Sequence, residues 1–364
     1  MSRPRLTIDM RMVQSGGIGT YLRQLAPRVL ARLPSSHICL LGRADILNEF
    51  PWTKQPGVTV VDCRAGIYTV REQLELPLKI PGDTTLFWSP HYNIPLLFRG
   101  RLLVTVHDTF HLAMPQFVQG WHRRVYSRVL FRSVRAKAAA IVCVSHFAKS
   151  ELLRFCPTGA QEVIVNYNGV DGTWLNGRPS HAPRERPYLL FVGNVKPHKN
   201  LSRLLEAFQL LRDKIPHDLV VIGKREGFIT GDAMAIQKAS GMDRVVCVGE
   251  LSHEHELLRR FYCHADALIL PSLYESFGLT ALEALASRCP AIVSRVGGLP
   301  EVYGDGVMYC HPYDISDIAA GIYRMVTDRP LRQRYVDAGY AVARRYDWDD
   351  TADRLVALMG RLMA

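Results

Sequence analysis

No stretch of this chain stays apolar for the roughly 20 residues a helix needs to cross a bilayer, which argues against a helical membrane span. The opening "MSRPRLTIDM" carries arginines but no apolar signal-peptide core, so the expectation is a protein that remains where it is made. Eight cysteines are present without a CxxC pair or metal-ligand spacing. Several sit inside strand-like runs ("HICLL", "IVCVS", "VVCVG"), where cysteine acts as a small hydrophobe, and that reads as a reducing cytoplasm. The glycine-rich turns fit no GxGxxG fingerprint, and no basic and aromatic residues interleave as in base-stacking motifs. Acidic residues are in short supply: 34 Asp and Glu face 45 Lys and Arg, a formal charge of +11. Such a balance calls for an anionic partner, whether phosphate-bearing substrate, nucleic acid or lipid surface.

A chain of 364 residues suits two domains better than one. Short β-branched runs alternate with helical patterns throughout. "LTIDM", "HICLL", "VTVVD", "TLFWS", "LLVTVHD", "AIVCVS" and "EVIVNYN" occupy the first half, and "YLLFVGN", "DLVVIGK", "RVVCVGE", "ALILPS" and "PAIVSR" the second. The alternation predicts an α/β protein with two Rossmann-like domains, their parallel sheets facing a central cleft and ligands at the carboxyl ends of the strands. The expected boundaries are residues 1–172 for the first domain, a Gly-, Pro- and charge-rich linker at 173–187, and 188–345 for the second. A last amphipathic helix follows at 346–364, capped by Asp349 or Asp350 and packing back towards the first domain.

Three stretches carry chemistry. In "QSGGIGTYLRQL", Gly16, Gly17 and Gly19 allow close backbone approach, and a helix beginning near Ile18 turns free N–H groups towards an anion. In "LFVGNVKPHKNLSRLLEAF", Lys196 and Lys199 flank a helix that Asn200 or Ser202 can cap, a setting that favours a phosphate or diphosphate. In "PSLYESFGLTALEALA", Glu275 lies in the loop and Glu283 about one turn inside the helix, leaning back towards it. Two carboxylates accept hydrogen bonds from sugar or ribose hydroxyls, while Gly278 leaves the helix start open to phosphate. "VSRVGGLPEV" adds Gly297 and Gly298 downstream.

The E-x7-E of Glu275 and Glu283 closely resembles that of family 4 of the retaining glycosyltransferases, of GT-B fold, and within it bacterial polysaccharide and O-antigen mannosyltransferases. "IDMRMVQSGGIGTYLRQL", "VTVHDTFHLAMPQF", "VSHFAKSEL", "NYNGVD" and "FVGNVKPHKN" match in order over nearly the whole chain. The resemblance implies an acceptor-binding first domain and a nucleotide-sugar-binding second one. It assigns Glu275 to the donor sugar and Glu283 to the ribose, with Ser276 and the backbone N–H groups of Phe277, Gly278 and Leu279 on sugar and diphosphate. Lys199 and Lys196 hold the diphosphate; Asn194 stands where many members carry Arg. Gly16 and Gly17 match the loop that closes over the diphosphate, His107 lies beside the reacting sugar, and the base rests on Gly249, Glu250 and Leu251.

The implied reaction is transfer of a hexose, best taken as mannose from GDP-mannose, to a glycan or lipid-linked acceptor, with a UDP- or dTDP-sugar as alternative. No cofactor is implied. No metal is expected either, since no compact carboxylate cluster stands beside these turns and Asp108 is alone after His107. A nucleotide-sugar epimerase would share the architecture without calling for E-x7-E, and a nucleic-acid partner is not expected. Finally, "WHRRVYSRVLFRSVRAK" (121–137) contains no acidic residue. Read as a helix, it sets Arg124, Arg128, Arg132 and Arg135 in one outward stripe opposite Val125, Val129, Leu130 and Val134, with Trp121 and Phe131 near its borders. That pattern implies peripheral attachment to an anionic membrane, on its inner face.

Overall fold

The computed structural model describes residues 5–33, 37–118, 120–159, 161–177, 179, 181–223, 232–251 and 256–364. The chain divides into two compact units, Met1–Gly169 with Trp348–Ala364, and Val170–Asp347. The stretch 173–187 lies within the second unit, and residues 172–175 open it as a helical turn.

In the first unit, seven strands form one parallel sheet: β1 (Arg5–Asp9), β2 (His37–Gly42), β3 (Val58–Asp62), β4 (Leu86–Ser89), β5 (Arg101–Val106), β6 (Ala140–Cys143) and β7 (Glu162–Val165). Their order is β3-β2-β1-β4-β5-β6-β7. In the second, six strands pair in parallel: β8 (Tyr188–Val192), β9 (Asp218–Ile222), β10 (Val245–Gly249), β11 (Ala267–Leu270), β12 (Ala291–Ser294) and β13 (Met308–Cys310), ordered β10-β9-β8-β11-β12-β13. The twelve runs read from sequence are all strands. β13, three residues at a sheet edge, lacks the length for a pattern to stand out.

Near-continuous apolar strands such as "YLLFV" are buried on both faces, as crossover helices require. Helix α1 (Gly16–Arg32) buries Tyr21, Leu22, Leu25, Val29 and Leu30. α2 (Val70–Lys79) is capped by Thr69, whose hydroxyl accepts from the Glu72 N–H at 3.2 Å. α3 (Trp121–Lys137) buries Leu130, Phe131 and Val134. α4 (Leu201–Leu211) sets Leu204, Leu205 and Phe208 on Leu189, Phe191 and Ile269 of the second sheet. α5 (Leu279–Ala286) is buried along most of its length.

The expected outward stripe on α3 needs correction. Arg135 is buried, and its guanidinium donates to the Cys156 and Gly159 carbonyls at 3.0 and 2.8 Å. Arg124 is half-buried against the Val118 carbonyl. Val125 and Val129 are exposed instead of docked. At about 100° per residue the four arginines share one narrow arc, but the helix is rotated so that Arg124 and Arg135 lie at the buried border of that arc while Arg128 and Arg132 share the outer face with Val125 and Val129.

The last helix, α6 (Trp348–Met363), belongs to the first unit and packs along α1. It buries Trp348, Ala352, Leu355, Leu358 and Met359, while Asp349 and Asp353 ion-pair with Arg32. The exposed ion pairs add little and the apolar seam carries the docking. Leu355→Ala is predicted to destabilise the first unit by about 2–5 kcal/mol. An unchanged urea midpoint would show that α6 is dispensable to it.

Candidate active site

In the second sheet, β8 and β11 are neighbours although β9 and β10 intervene in sequence. Chain order reverses there, so the loops after these two strands leave a crevice at the carboxyl ends. Asn200 joins them. It is buried in the left-handed region (φ 62°), and its Nδ2 donates to the Pro271 and Pro312 carbonyls at 2.9 and 2.6 Å. Asn200 does occupy the helix N-cap position, but no side-chain cap bond forms. Its amide protons are taken by two prolyl carbonyls arriving from other loops. Ser202 does not cap either; its hydroxyl lies 3.5 Å from Asp232. Leu273 N–H also donates to the His198 carbonyl at 2.7 Å.

These ties deliver Lys199 to Glu275. Nζ stands 2.5 Å from Oε1, which also accepts from the Ser272 hydroxyl at 3.0 Å. The two side chains are 21% and 11% exposed, so the ion pair is largely shielded from water yet reachable. The Glu275 carbonyl accepts from Gly298 N–H at 2.9 Å, which brings in the Gly297–Gly298 turn.

Gly278 caps α5 in the left-handed region (φ 81°). A Cβ there would stand 2.7 Å from Leu299, so no other residue fits without displacement. The N–H groups of Leu279 and Thr280, at the helix start, have no intrahelical acceptor. Phe277 is buried with its ring edge-on to Tyr346. The Ser276 hydroxyl is buried without a hydrogen-bond partner among the described residues. Glu283, 4% exposed, accepts from the Tyr262 hydroxyl at 3.0 Å. Tyr303 donates to the Gly278 carbonyl at 2.7 Å. Burial holds its hydroxyl well above the ordinary range, and Tyr346, Glu275 and Glu283 add to the effect. Both glutamates therefore lie around one tyrosine.

Beside them, β8 and β9 lead into Gly193 and Gly223, and β10 ends on Gly249. Gly193 N–H donates to Ile222 and Gly223 N–H to Gly249, and a Cβ on Gly223 would run into the Gly193 carbonyl. The three ends form a flat backbone shelf. Asn194 and Lys196 follow Gly193 and are half-buried; Glu250 is exposed and Leu251 half-buried. The next residues, 252–255, lie outside the described residues.

The first sheet reverses between β1 and β4. α1 begins at Gly16, two residues earlier than expected, so Gly16 and Gly17 form its first turn, with no acidic residue there and no side-chain cap from Ser15. Gly19 lies under the preceding loop, where a Cβ would stand 2.6 Å from the Val13 carbonyl. His107 follows β5 and is half-buried. Its Nε2 lies 2.9 Å from the Pro90 carbonyl and its ring is edge-on to Tyr21 at 4.7 Å. Burial lowers its pKa to about 4 despite Asp108 beside it. A carbonyl can only accept, so Nε2 carries the proton and Nδ1 keeps a lone pair. Asp108 itself accepts from the Phe110 N–H at 2.9 Å.

Sequence reasoning passed over a buried ionic group at this switch point. Arg11 bonds Asp9 at 2.6 Å and Glu72 at 2.9 Å, with all three side chains nearly inaccessible. Asn93 and Tyr126 also donate to Glu72, whose carboxyl burial pushes up and Arg11 pulls down. Arg11, two residues beyond the strand-end Asp9, was the available signal. Glu72 sits on a different element and gave none.

Comparison with known proteins matches two family models end to end: Glycosyltransferase Family 4 over residues 15–173 and Glycosyl transferases group 1 over 174–342. The D-inositol 3-phosphate glycosyltransferase of Thermobifida fusca is 33% identical, over 94% of this chain and 88% of that protein. The chain belongs to the family 4 and group 1 glycosyltransferases, of GT-B type. O-antigen chain mannosyltransferase B of Escherichia coli is 25% identical to this glycosyltransferase, over 93% and 94% of the two chains. Among solved structures, sucrose-phosphate synthase from Thermosynechococcus elongatus shares the fold with a TM-score of 0.80 at 20% identity, covering 99% of each chain. Anabaena HepE in complex with UDP-glucose gives 0.77 at 16%, over 98% and 99%.

Two predictions follow from the geometry of this glycosyltransferase. The unfolded chain protonates His107 near pH 6.5 and the folded one only near 4, so stability falls as pH drops through that window. The His107 share is about 3 kcal/mol, and His107→Gln is expected to flatten the pH dependence of the urea midpoint. Identical slopes in both proteins would refute it. Glu283→Gln keeps an acceptor for Tyr262, so its melting temperature is expected to hold while turnover collapses; a collapse of both would make Glu283 a structural residue.

Proposed function

We propose that this glycosyltransferase moves mannose from GDP-mannose to a hydroxyl of a glycan or lipid-linked oligosaccharide in polysaccharide biosynthesis, with retention at the anomeric carbon. The observation that carries the reading is the Lys199–Glu275 pair at the β8/β11 switch point, beside an open helix start. A cation and a carboxylate 2.5 Å apart suit a ligand that is anionic at one end and a polyol at the other. In this reading Glu275 accepts from sugar hydroxyls, Glu283 from the ribose, and Lys199 and Lys196 hold the diphosphate. The N–H groups around Phe277–Leu279 and the Ser276 hydroxyl, which has no hydrogen-bond partner among the described residues, complete the cradle. Asn194 and the glycine shelf ending at Gly249 support the nucleotide, with Glu250 and Leu251 at the base.

The C1–O bond to the diphosphate breaks, the acceptor oxygen bonds to C1 on the same face, and the acceptor proton passes to the departing diphosphate. Catalysis rests on orientation and on fixed charge opposite the developing anion. Neutral His107 offers Nδ1 as an acceptor to the reacting sugar, and the Gly16–Gly17 helix start offers N–H groups to an anion. Mannose is favoured by the likeness to O-antigen chain mannosyltransferase B. A UDP- or dTDP-sugar is the second reading, favoured by the fold shared with HepE, solved with UDP-glucose. A nucleotide-sugar epimerase of this fold would isomerise donor without acceptor. We place the enzyme in the cytoplasm, at the inner face of the membrane. Its described helices include none long and apolar enough to cross one.

The reading includes independence from divalent metal. Among the described residues no three His, Cys, Asp or Glu side chains are grouped as metal ligands. The chain does contain one Asp-x-Asp, Asp347–Trp348–Asp349, but Asp349 is engaged by Arg28 and Arg32.

Thermal stabilisation across GDP-, UDP- and dTDP-sugars is expected to be largest with GDP-mannose; a larger shift with another donor replaces the sugar assignment. Lys199→Ala is predicted to lower turnover about ten- to a hundredfold, equivalent to about 1.5–3 kcal/mol. EDTA is predicted to leave turnover intact, and a strict need for added Mg²⁺ or Mn²⁺ would defeat the metal-free mechanism.

A further inference from the structure

Every large apolar side chain that the first unit leaves exposed among its described residues lies on three neighbouring segments. α2 exposes Val70, Leu74 and Leu78, at 79%, 60% and 85%. The loop after β4 exposes Leu97, and α3 exposes Trp121, Val125 and Val129. The three α2 residues recur every four positions, on the face opposite buried Glu72 and Leu76.

Hydrogen bonds tie the segments together. Gln73 donates to the Tyr126 hydroxyl of α3 and to the Ile94 carbonyl, and accepts from Leu96 N–H. Tyr126 reaches Glu72 on α2, and Lys137 at the end of α3 bonds the Leu96 carbonyl. The exposed apolar side chains thus belong to one continuous face of the unit. A monomeric soluble protein rarely keeps such a patch without a partner.

Charge selects the partner. Lys79, Arg99, Arg128, Arg132 and Lys137 are exposed on the same segments. No acidic residue occurs in 90–107 or 121–137. On α2, Glu72 is buried and Glu75 is paired with Arg71. A second copy would oppose like charges across a two-fold contact. An apolar centre with a basic rim matches the headgroup region of an anionic bilayer.

We propose that this face docks the enzyme on an anionic phospholipid surface. Val70, Leu74, Leu78, Leu97 and Trp121 enter the headgroup region, and the five basic residues meet lipid phosphates. Because α2 carries Glu72 inward and the leucines outward, docking holds the switch point of the first unit close to the bilayer. The reading of a lipid-linked acceptor supplies the purpose of docking but none of its evidence.

The test uses the full chain and sedimentation with phosphatidylcholine vesicles, with and without phosphatidylglycerol, in the absence of acceptor and donor. Binding is expected with phosphatidylglycerol and not without it, and weaker at high salt. Leu74→Ser with Leu78→Ser, and separately Arg128→Glu with Arg132→Glu, are each expected to weaken binding by about tenfold or more. Both variants are expected to keep the melting temperature and the thermal shift given by the nucleotide sugar. Failure to bind either vesicle, or binding untouched by both variants, overturns the proposal. A concentration-dependent dimer abolished by the leucine variant also overturns it and assigns the face to a second copy. Transfer to a water-soluble acceptor is scored separately, so loss of docking leaves the transferase reading standing.

Discussion

A lysine and a glutamate from loops 76 residues apart share one oxygen-to-nitrogen contact of 2.5 Å, and the second unit is organised around keeping them there. Neither loop could hold its charge alone. A half-buried carboxylate without a partner is costly, and a lysine at the end of a short turn has too many rotamers to be positioned by its backbone. The solution is a second, uncharged tie. Asn200 adopts a left-handed backbone and spends both amide protons on carbonyls of other loops, so its neighbour Lys199 arrives with its direction already set. The pair then neutralises itself while remaining within reach of solvent.

The first unit uses burial differently. Its switch point holds a buried Arg11 between Asp9 and Glu72, a group hydrogen-bonded within the protein by Arg11, Asn93 and Tyr126. Close by, His107 and His91 are kept neutral by removal from water. A neutral imidazole keeps a lone pair that an imidazolium lacks, so desolvation here preserves hydrogen-bond acceptance instead of creating an acid. Both sheets therefore place polar chemistry where strand order reverses, and each sets glycines at points of close approach, Gly19 and Gly223 against backbone and Gly278 against the Leu299 side chain.

Surface and site are coupled through single elements. α2 presents Glu72 inward to the buried ionic group and leucines outward, and α3 likewise turns Tyr126 to Glu72 while exposing Trp121 and two valines. On α2 a carboxylate is the most deeply buried side chain beside Leu76 while three apolar residues face outwards, a departure from the ordinary amphipathic pattern; α3 keeps an apolar inner face of Leu130, Phe131 and Val134.

The sequence by itself determined twelve of the thirteen strands, the two-sheet α/β architecture and the motif positions, because period and turn chemistry are local properties. "YLLFV" can only be a buried strand, and Gly278 announces a left-handed turn before α5. E-x7-E also located the candidate cradle, since its two carboxylates are read at fixed spacing on one loop and helix. Only the tertiary structure decided which groups meet. Asn200 reads locally as a helix cap, yet two distant carbonyls claim it. Arg135 reads as part of an outward stripe, yet carbonyls after a separate helix draw it inside. Tyr262 and Tyr303 stand in stretches with no motif of their own and become partners of the cradle through packing alone. Glu72 joins Arg11 across 61 residues. Partnerships of this kind depend on strand order and helix rotation, which no window of sequence contains.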